Sequence, residues 1–120
     1  MISATPAFPV SNVERAVEFY TDRLGFGVGL HTSDYAIVSR DDLVIHLWLA
    51  AESGGQDEPR IAGSASCRVL VSGIGVLHGE MRDRKVVHPN GELGTRAWGT
   101  REFTVLDADG NALTFYAPRG

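Results

Sequence analysis

Apolar side chains at Val13, Ala16, Val17, Tyr20 and Leu24 recur at the spacing that aligns them along one stripe of a helix. Asn12 in front is a capping residue and Gly25 behind is a stop, so the pattern predicts a helix over 13–23. The short apolar stretch 4–10 contains Pro6 and Pro9, which suit an edge or bulged strand. Beyond the helix, residues 26–30, 35–38 and 43–49 read as strands, the last two joined by the polar turn Ser39-Arg40-Asp41-Asp42. The first half is therefore β-α-β-β-β.

A polar, Gly-rich stretch over 52–63 interrupts the pattern as a linker. The order then restarts: a strand over 66–72, a helix over 73–82, a Gly-rich connection, and a hairpin of strands 101–106 and 112–116. "PVSNVERAV" and "LVSGIGVLH" align Val10 with Val71, Ser11 with Ser72 and Val13 with Ile74. "YAIVSRDDLVIHLWL" and "FTVLDADGNALTFYA" each set a polar turn between alternating strands. The same five-element order twice indicates duplication. The expected fold is α+β, one domain of two βαβββ modules at about 4–50 and 65–117, and Gly54-Gly55 in the linker would allow two chains to exchange halves.

Composition narrows the function more than it shapes the fold. With 120 residues, 43% of them hydrophobic, the chain suits one compact core. A net charge of −4 with scattered lysines and arginines gives no footprint for nucleic acid. The single cysteine, Cys67, excludes an internal disulfide and a CxxC pair, which fits a cytoplasmic setting. No apolar run reaches the roughly 20 residues that span a bilayer, and the first residues lack a basic start followed by an apolar block, so a soluble, unprocessed protein is expected.

The stretches "VSNVERAVEFYTDRLGF", "YAIVSRDDLVIHL" and "WGTREFTVLDADGNALTF" resemble the vicinal oxygen chelate superfamily, which includes glyoxalases, bleomycin-resistance proteins and dioxygenases, and most closely its bleomycin-resistance branch. The resemblance runs from about residue 4 to 116. It implies a curved mixed sheet forming a cup with helices outside, and a homodimer, domain-swapped or not, with clefts at the interface. One scaffold hosts many chemistries, so the ligand does not follow from the fold.

Metalloenzymes of the superfamily carry His, Gln or Glu at up to four inward positions, because a divalent metal needs imidazole or carboxylate donors. By resemblance these positions fall on Thr5, His46, Ser66 and Thr114. The internal repeat agrees, setting Thr5 opposite Ser66 and His46 opposite Thr114. One imidazole and three neutral hydroxyls make a poor metal set, so neither metal nor other cofactor is expected. His31, His78 and His88 lie at no ligand spacing.

The resemblance implies instead a pocket that holds a small-molecule natural product. Alternation puts Val44, His46 and Trp48 on one strand face, opposite Ile45 and Leu47, and groups Ser66, Arg68 and Leu70. Tyr35, His46, Trp48, Arg68, Leu70 and Trp98, with Thr5, Ser66 and Thr114, are the candidate contacts. Tyr35 and Trp98 match aromatic positions that sandwich flat rings in the drug-binding branch. Each has a plainer role open to it: Trp98 as a plug at the sheet end, Trp48 as core or interface, Tyr35 as an ordinary strand residue.

Arg68 stands where the branch carries an aromatic residue, and a cation in a cleft needs a partner. That partner is an acidic neighbour such as Glu102, an aromatic face, or a ligand carboxylate, phenolate or quinone oxygen. A ligand anion there would count against the cationic bleomycins. The glycines of "GELG", residues 91–94, lack a following helix and make no phosphate cradle, and Cys67 faces away from Arg68 as a packed thiol. The expected function is metal-free sequestration of a flat, partly aromatic natural product of bleomycin-like glycopeptide, mitomycin, anthraquinone or enediyne type. The alternative is a metal-dependent lyase, isomerase or dioxygenase.

Overall fold

A computed structural model describes residues 1–50 and 61–119. Strand β1 (Ala7–Val10), helix α1 (Val13–Glu18) and strands β2 (Gly27–His31), β3 (Tyr35–Arg40) and β4 (Leu43–Leu49) come first. Strand β5 (Ser66–Leu70), helix α2 (Ile74–Asp83) and strands β6 (Gly94–Thr95), β7 (Thr100–Leu106) and β8 (Ala112–Pro118) follow. The strands form two mixed four-stranded sheets, ordered β1-β4-β3-β2 and β5-β8-β7-β6. In each, the first strand pairs in parallel with the last, and the remaining pairs are antiparallel. The two β-α-β-β-β runs expected from the sequence are both present.

The chain divides into two compact units: Met1–Ala65 with Asp107–Asn111, and Ser66–Leu106 with Ala112–Gly120. The tip of the β7–β8 hairpin is thus part of the first unit. The reason is chemical. Asp107 Oδ1 accepts the backbone N–H groups of Asp109, Gly110 and Asn111 at 2.9, 3.0 and 2.9 Å, a carboxylate-closed turn. Its Oδ2 accepts from the Tyr20 hydroxyl at 3.0 Å and from Asn111 Nδ2 at 2.9 Å. Asn111 Nδ2 also donates to the Pro9 carbonyl at 2.9 Å, and Asn111 Oδ1 accepts from Ala65 N–H at 3.1 Å.

Local sequence sets the element ends. Asn12 Oδ1 accepts the Arg15 N–H at 2.9 Å and starts α1. The helix passes into one π-helical turn over Phe19–Arg23, so the helical stretch still ends where the spacing predicts, just before Gly25 at φ 75°. The β3–β4 hairpin closes through Asp41-Asp42 with Asp41 at φ 52°, a conformation that aspartate tolerates.

Some boundaries differ from expectation. Strand β1 starts at Ala7 rather than at residue 4, although the Pro6 carbonyl already accepts from His46 N–H at 3.0 Å. The second strand of the second module had no periodicity to mark it, because β6 is only two residues long and sits inside the Gly-rich connection. Of the linker, residues 51–60 lie outside the described residues. Its end is packed: Ala62 is buried, and Gly63 N–H donates to the Pro9 carbonyl at 3.1 Å. A Cβ at Gly63 would run into the Asp109 carbonyl oxygen, so glycine is required there.

Each unit has its own apolar layer. In the first, Val13, Val17, Tyr20 and Leu24 meet Phe8, Val38, Ile45 and Leu47, all buried. In the second, Ile74 and Met81 from α2 and Phe103, Val105, Leu113 and Phe115 from the sheet are buried, with the Phe103 and Phe115 rings 5.2 Å apart. At about 1.5–3 kcal/mol for each large apolar side chain taken from water, these layers are the main stabilising term in both units. Period-two alternation then leaves the other sheet face less covered, and that face carries the candidate site.

Candidate ligand-binding site

On the first sheet, His46 and Trp48 of β4 are half-buried while Ile45 and Leu47, which alternate with them, are fully buried. Register sets Tyr35 opposite Trp48 and Ile37 opposite His46. The Tyr35 hydroxyl lies 2.7 Å from His46 Nδ1, and the two rings meet edge to face with centroids 5.5 Å apart. The phenol and imidazole therefore orient each other, and Trp48 lies beside Tyr35 on the same face. Thr5 is exposed and lies two residues before β1, outside the sheet.

The second sheet carries a denser cluster. Register sets Arg68 opposite Thr114, Leu70 opposite Tyr116, and Glu102 opposite Tyr116. Arg68 and Glu102 form a two-pronged ion pair, Nη1 to Oε1 at 3.2 Å and Nη2 to Oε2 at 2.6 Å. Glu102 Oε2 also accepts from the Trp98 indole N–H at 3.0 Å and from the Thr100 hydroxyl at 2.6 Å. The Arg68 guanidinium sits 4.7 Å from the centre of the Tyr116 ring, within cation–π range.

The glutamate is 4% exposed, whereas Trp98 is 66% exposed and the Arg68 side chain 51%. A buried carboxylate is thus roofed by an indole and a guanidinium whose other surfaces are open. Hydrogen bonding from Arg68 above all, with help from Thr100 and Trp98, pulls Glu102 from its ordinary value near 4.5 down to about 2, against the opposing cost of burial. The same hydrogen bond raises the Arg68 pKa further.

The remaining candidates are placed plainly. Leu70 is 62% exposed, Ser66 is exposed, and Thr114 is half-buried with its hydroxyl 2.9 Å from that of Thr104. The Ala7–His46 and Arg68–Thr114 pairs occupy matching positions in the two modules, as the repeat predicts.

The metal expectation can be tested on donor chemistry. Thr5 and His46 belong to the first unit, Ser66 and Thr114 to the second. The threonine and serine donors are neutral hydroxyls, the Thr114 one already taken up with Thr104, and one nitrogen of His46 is occupied by Tyr35. This set does not fit zinc, nickel or iron(II). Among the described residues, no three His, Cys, Asp or Glu side chains form a metal-sized group.

Two of the other histidines have local partners: His78 Nε2 lies 3.0 Å from Glu92 Oε2, and His88 Nδ1 accepts from Asn90 N–H at 3.1 Å. Gly91 of "GELG" lies against Thr104, where a Cβ would come within 2.7 Å of the Thr104 Cβ, so close packing explains that glycine. Burial pushes the Cys67 thiol up, away from nucleophilic character.

Two expectations are thereby resolved. Arg68 is paired with Glu102, so it does not confront the site as a lone cation, and the argument against a cationic ligand falls away. Trp98 does not plug the sheet end, since most of its surface is open. Sequence reasoning had named Glu102 only as a possible partner and had overlooked Tyr116 and Thr100. A signal existed: Thr100, Glu102 and Thr104 alternate with Arg101, Phe103 and Val105, placing a carboxylate in the middle of the polar face of β7.

The arrangement compares closely with known proteins. The sequence profile described as "Glyoxalase/Bleomycin resistance protein/Dioxygenase superfamily" matches residues 4–115. A bleomycin resistance protein of Geobacillus stearothermophilus is 34% identical over 127 aligned positions, covering 97% of this chain and 96% of that one. The crystal structure of a bleomycin-binding protein from bleomycin-producing Streptomyces verticillus, complexed with copper(II)-bleomycin, superposes with a TM-score of 0.79 at 26% identity, covering 100% of this chain and 97% of that one. A lactoylglutathione lyase from Agrobacterium tumefaciens has the same fold at a TM-score of 0.75 but only 15% identity, over 98% and 94% of the two chains. Profile, near-full-length identity and fold agree that this chain belongs to the glyoxalase/bleomycin resistance protein/dioxygenase superfamily.

Proposed function

We propose that this chain is a bleomycin-binding resistance protein that acts by stoichiometric capture, without a chemical step on its ligand. The observation that carries this reading is the 34% identity, over nearly the full length of both chains, to a protein named for bleomycin resistance. The bleomycin-complexed structure at 26% identity supports the same ligand class. Site chemistry agrees, since aromatic faces at Tyr35, Trp48 and Trp98 suit flat heteroaromatic rings. The alternative, a metal-dependent lyase or dioxygenase, needs donors that Thr5, Ser66 and Thr114 do not provide.

The proposal assigns ligand contact to Tyr35, His46, Trp48, Arg68, Leu70 and Trp98, with Thr5, Ser66 and Thr114 as flanking hydroxyls. It also assigns a homodimer with two equivalent sites, and action in the cytoplasm. None of the described helices is long and apolar enough to cross a membrane.

Calorimetric titration with metal-free and copper(II)-bleomycin tests the reading, with mass spectrometry of the recovered drug. Capture predicts one saturable site per chain and unaltered drug. At about 100 times the dissociation constant, the ligand should add ~2.7 kcal/mol to folding stability. Failure to bind either form, together with turnover of a glutathione hemithioacetal on adding divalent metal, would overturn it in favour of the enzyme. Sedimentation at several concentrations tests the dimer, a monomer at all of them counting against it.

A further inference from the structure

The Glu102 cluster goes further than the capture reading and deepens it. On an otherwise half-open sheet face, one residue is nearly sealed from solvent, and it is a carboxylate. Its two oxygens accept four hydrogen bonds, from Arg68 twice, Trp98 and Thr100. Trp98 makes no contribution to the core that would justify its exposure. Its indole N–H is instead tied to an anchor that fixes the ring while leaving its face free. Arg68, the one cation of the cluster, is fully matched in charge by the same anchor, and its plane lies over Tyr116.

Two consequences follow from elementary electrostatics. The cluster presents aromatic faces and no net charge, and aromatic faces attract cations. The chain as a whole carries −4, which favours the approach of cations and disfavours anions. An anionic ligand meets a guanidinium whose charge Glu102 already neutralises, and breaking the pair to gain more would leave a buried carboxylate uncompensated.

We propose that Glu102 is the positioning and specificity-determining residue of the ligand site: it pre-orients the Trp98 ring and neutralises Arg68, so that the site selects flat cationic or uncharged ring systems over anionic ones. This rests on the capture reading for the biological ligand, but the positioning itself is a property of the second unit. Glu102 acts through Trp98 and Arg68, with no need to touch the ligand. Pre-orientation lowers the ordering cost on binding, which is how a residue outside the contact surface controls affinity.

The test uses the full chain and three variants, Glu102→Gln, Glu102→Ala and Arg68→Gln, at one ionic strength. Two flat probes of similar ring area are titrated beside bleomycin: 9-aminoacridine as cation and anthraquinone-2-sulfonate as anion. The parent protein should prefer the cation. Glu102→Gln keeps a carbonyl oxygen for the indole but uncovers the Arg68 charge, so the cation-to-anion ratio should fall at least tenfold. Arg68→Gln should raise that ratio.

Glu102→Ala should weaken all three ligands and release the Trp98 indole N–H, read as a shifted, faster-exchanging indole signal assigned by its loss in Trp98→Phe. A role confined to folding would lower thermal stability and leave the ratio unmoved. An unchanged ratio in folded Glu102→Gln and Arg68→Gln overturns the proposal. If bleomycin fails to bind the parent but the ratio and indole signal respond as stated, the positioning role stands and the capture reading falls.

Discussion

Two buried carboxylates, Glu102 and Asp107, sit five residues apart in the same hairpin, and they do different work. Asp107 accepts from three backbone N–H groups, a buried tyrosine hydroxyl and a fully buried asparagine. Tyr20 and Asn111 are fully buried, Asp109 and Gly110 half-buried, and together these partners build the first unit around the hairpin tip. Glu102 accepts from an exposed tryptophan, a half-exposed arginine and a threonine. Every partner of Asp107 belongs to the fold, while the partners of Glu102 face outward. The number of hydrogen bonds on a buried carboxylate therefore says little about its purpose, and the exposure of its partners says more.

Removing each carboxylate is the sharpest way to break this contrast. Asp107→Ala removes the acceptor of five donors, the buried Tyr20 hydroxyl and Asn111 N–H among them, and unfolding in denaturant should show a loss of about 3 kcal/mol. Glu102→Ala should cost less, about 1–2 kcal/mol, because its freed donors reach water. Equal losses would erase the distinction.

Next in size, Trp98→Ala should weaken bleomycin binding by ~1–3 kcal/mol, yet shift stability by less than about 0.5 kcal/mol because the ring is mostly exposed. Calorimetry and thermal unfolding of one sample check both halves.

Acid sharpens the picture on the Glu102 side. Its folded-state pKa is depressed to about 2 from an ordinary value near 4.5, so the stability it contributes is complete above 4.5 and is lost as pH falls towards 2. The contribution, on the order of 1–2 kcal/mol with the half-exposed Arg68 partner screened by solvent, should appear as a stability difference between parent and Glu102→Gln. That difference should shrink through this window in urea titrations. A constant difference from pH 5 to 2 would show that the ion pair is not its source.

The smallest effect belongs to the first sheet. Tyr35→Phe removes the hydroxyl from His46 and should cost about 0.5–1 kcal/mol of unfolding free energy. A larger loss would make that pair a second anchor rather than a pocket contact.

Periodicity, caps and the internal repeat determined the α+β class, the order of elements, and the faces on which His46, Arg68 and Thr114 lie. These follow from short-range geometry: a residue's face is set by its place in a repeat of two or 3.6. The poor fit of Thr5, His46, Ser66 and Thr114 to a metal was equally readable, because it depends on residue types at matched positions. Strand β6 escaped, since two residues carry no period.

The partner of Arg68 also waited for the structure. Sequence offered Glu102 or a ligand anion as equals, because alternation assigns a face but not which groups lie within 3 Å across it. Only the registers of β5, β7 and β8, with the bend at Trp98 and Gly99, bring guanidinium, indole and hydroxyl onto one carboxylate. Hydrogen bonds require that ångström-scale convergence of side chains far apart in the chain, and tertiary packing alone supplies it.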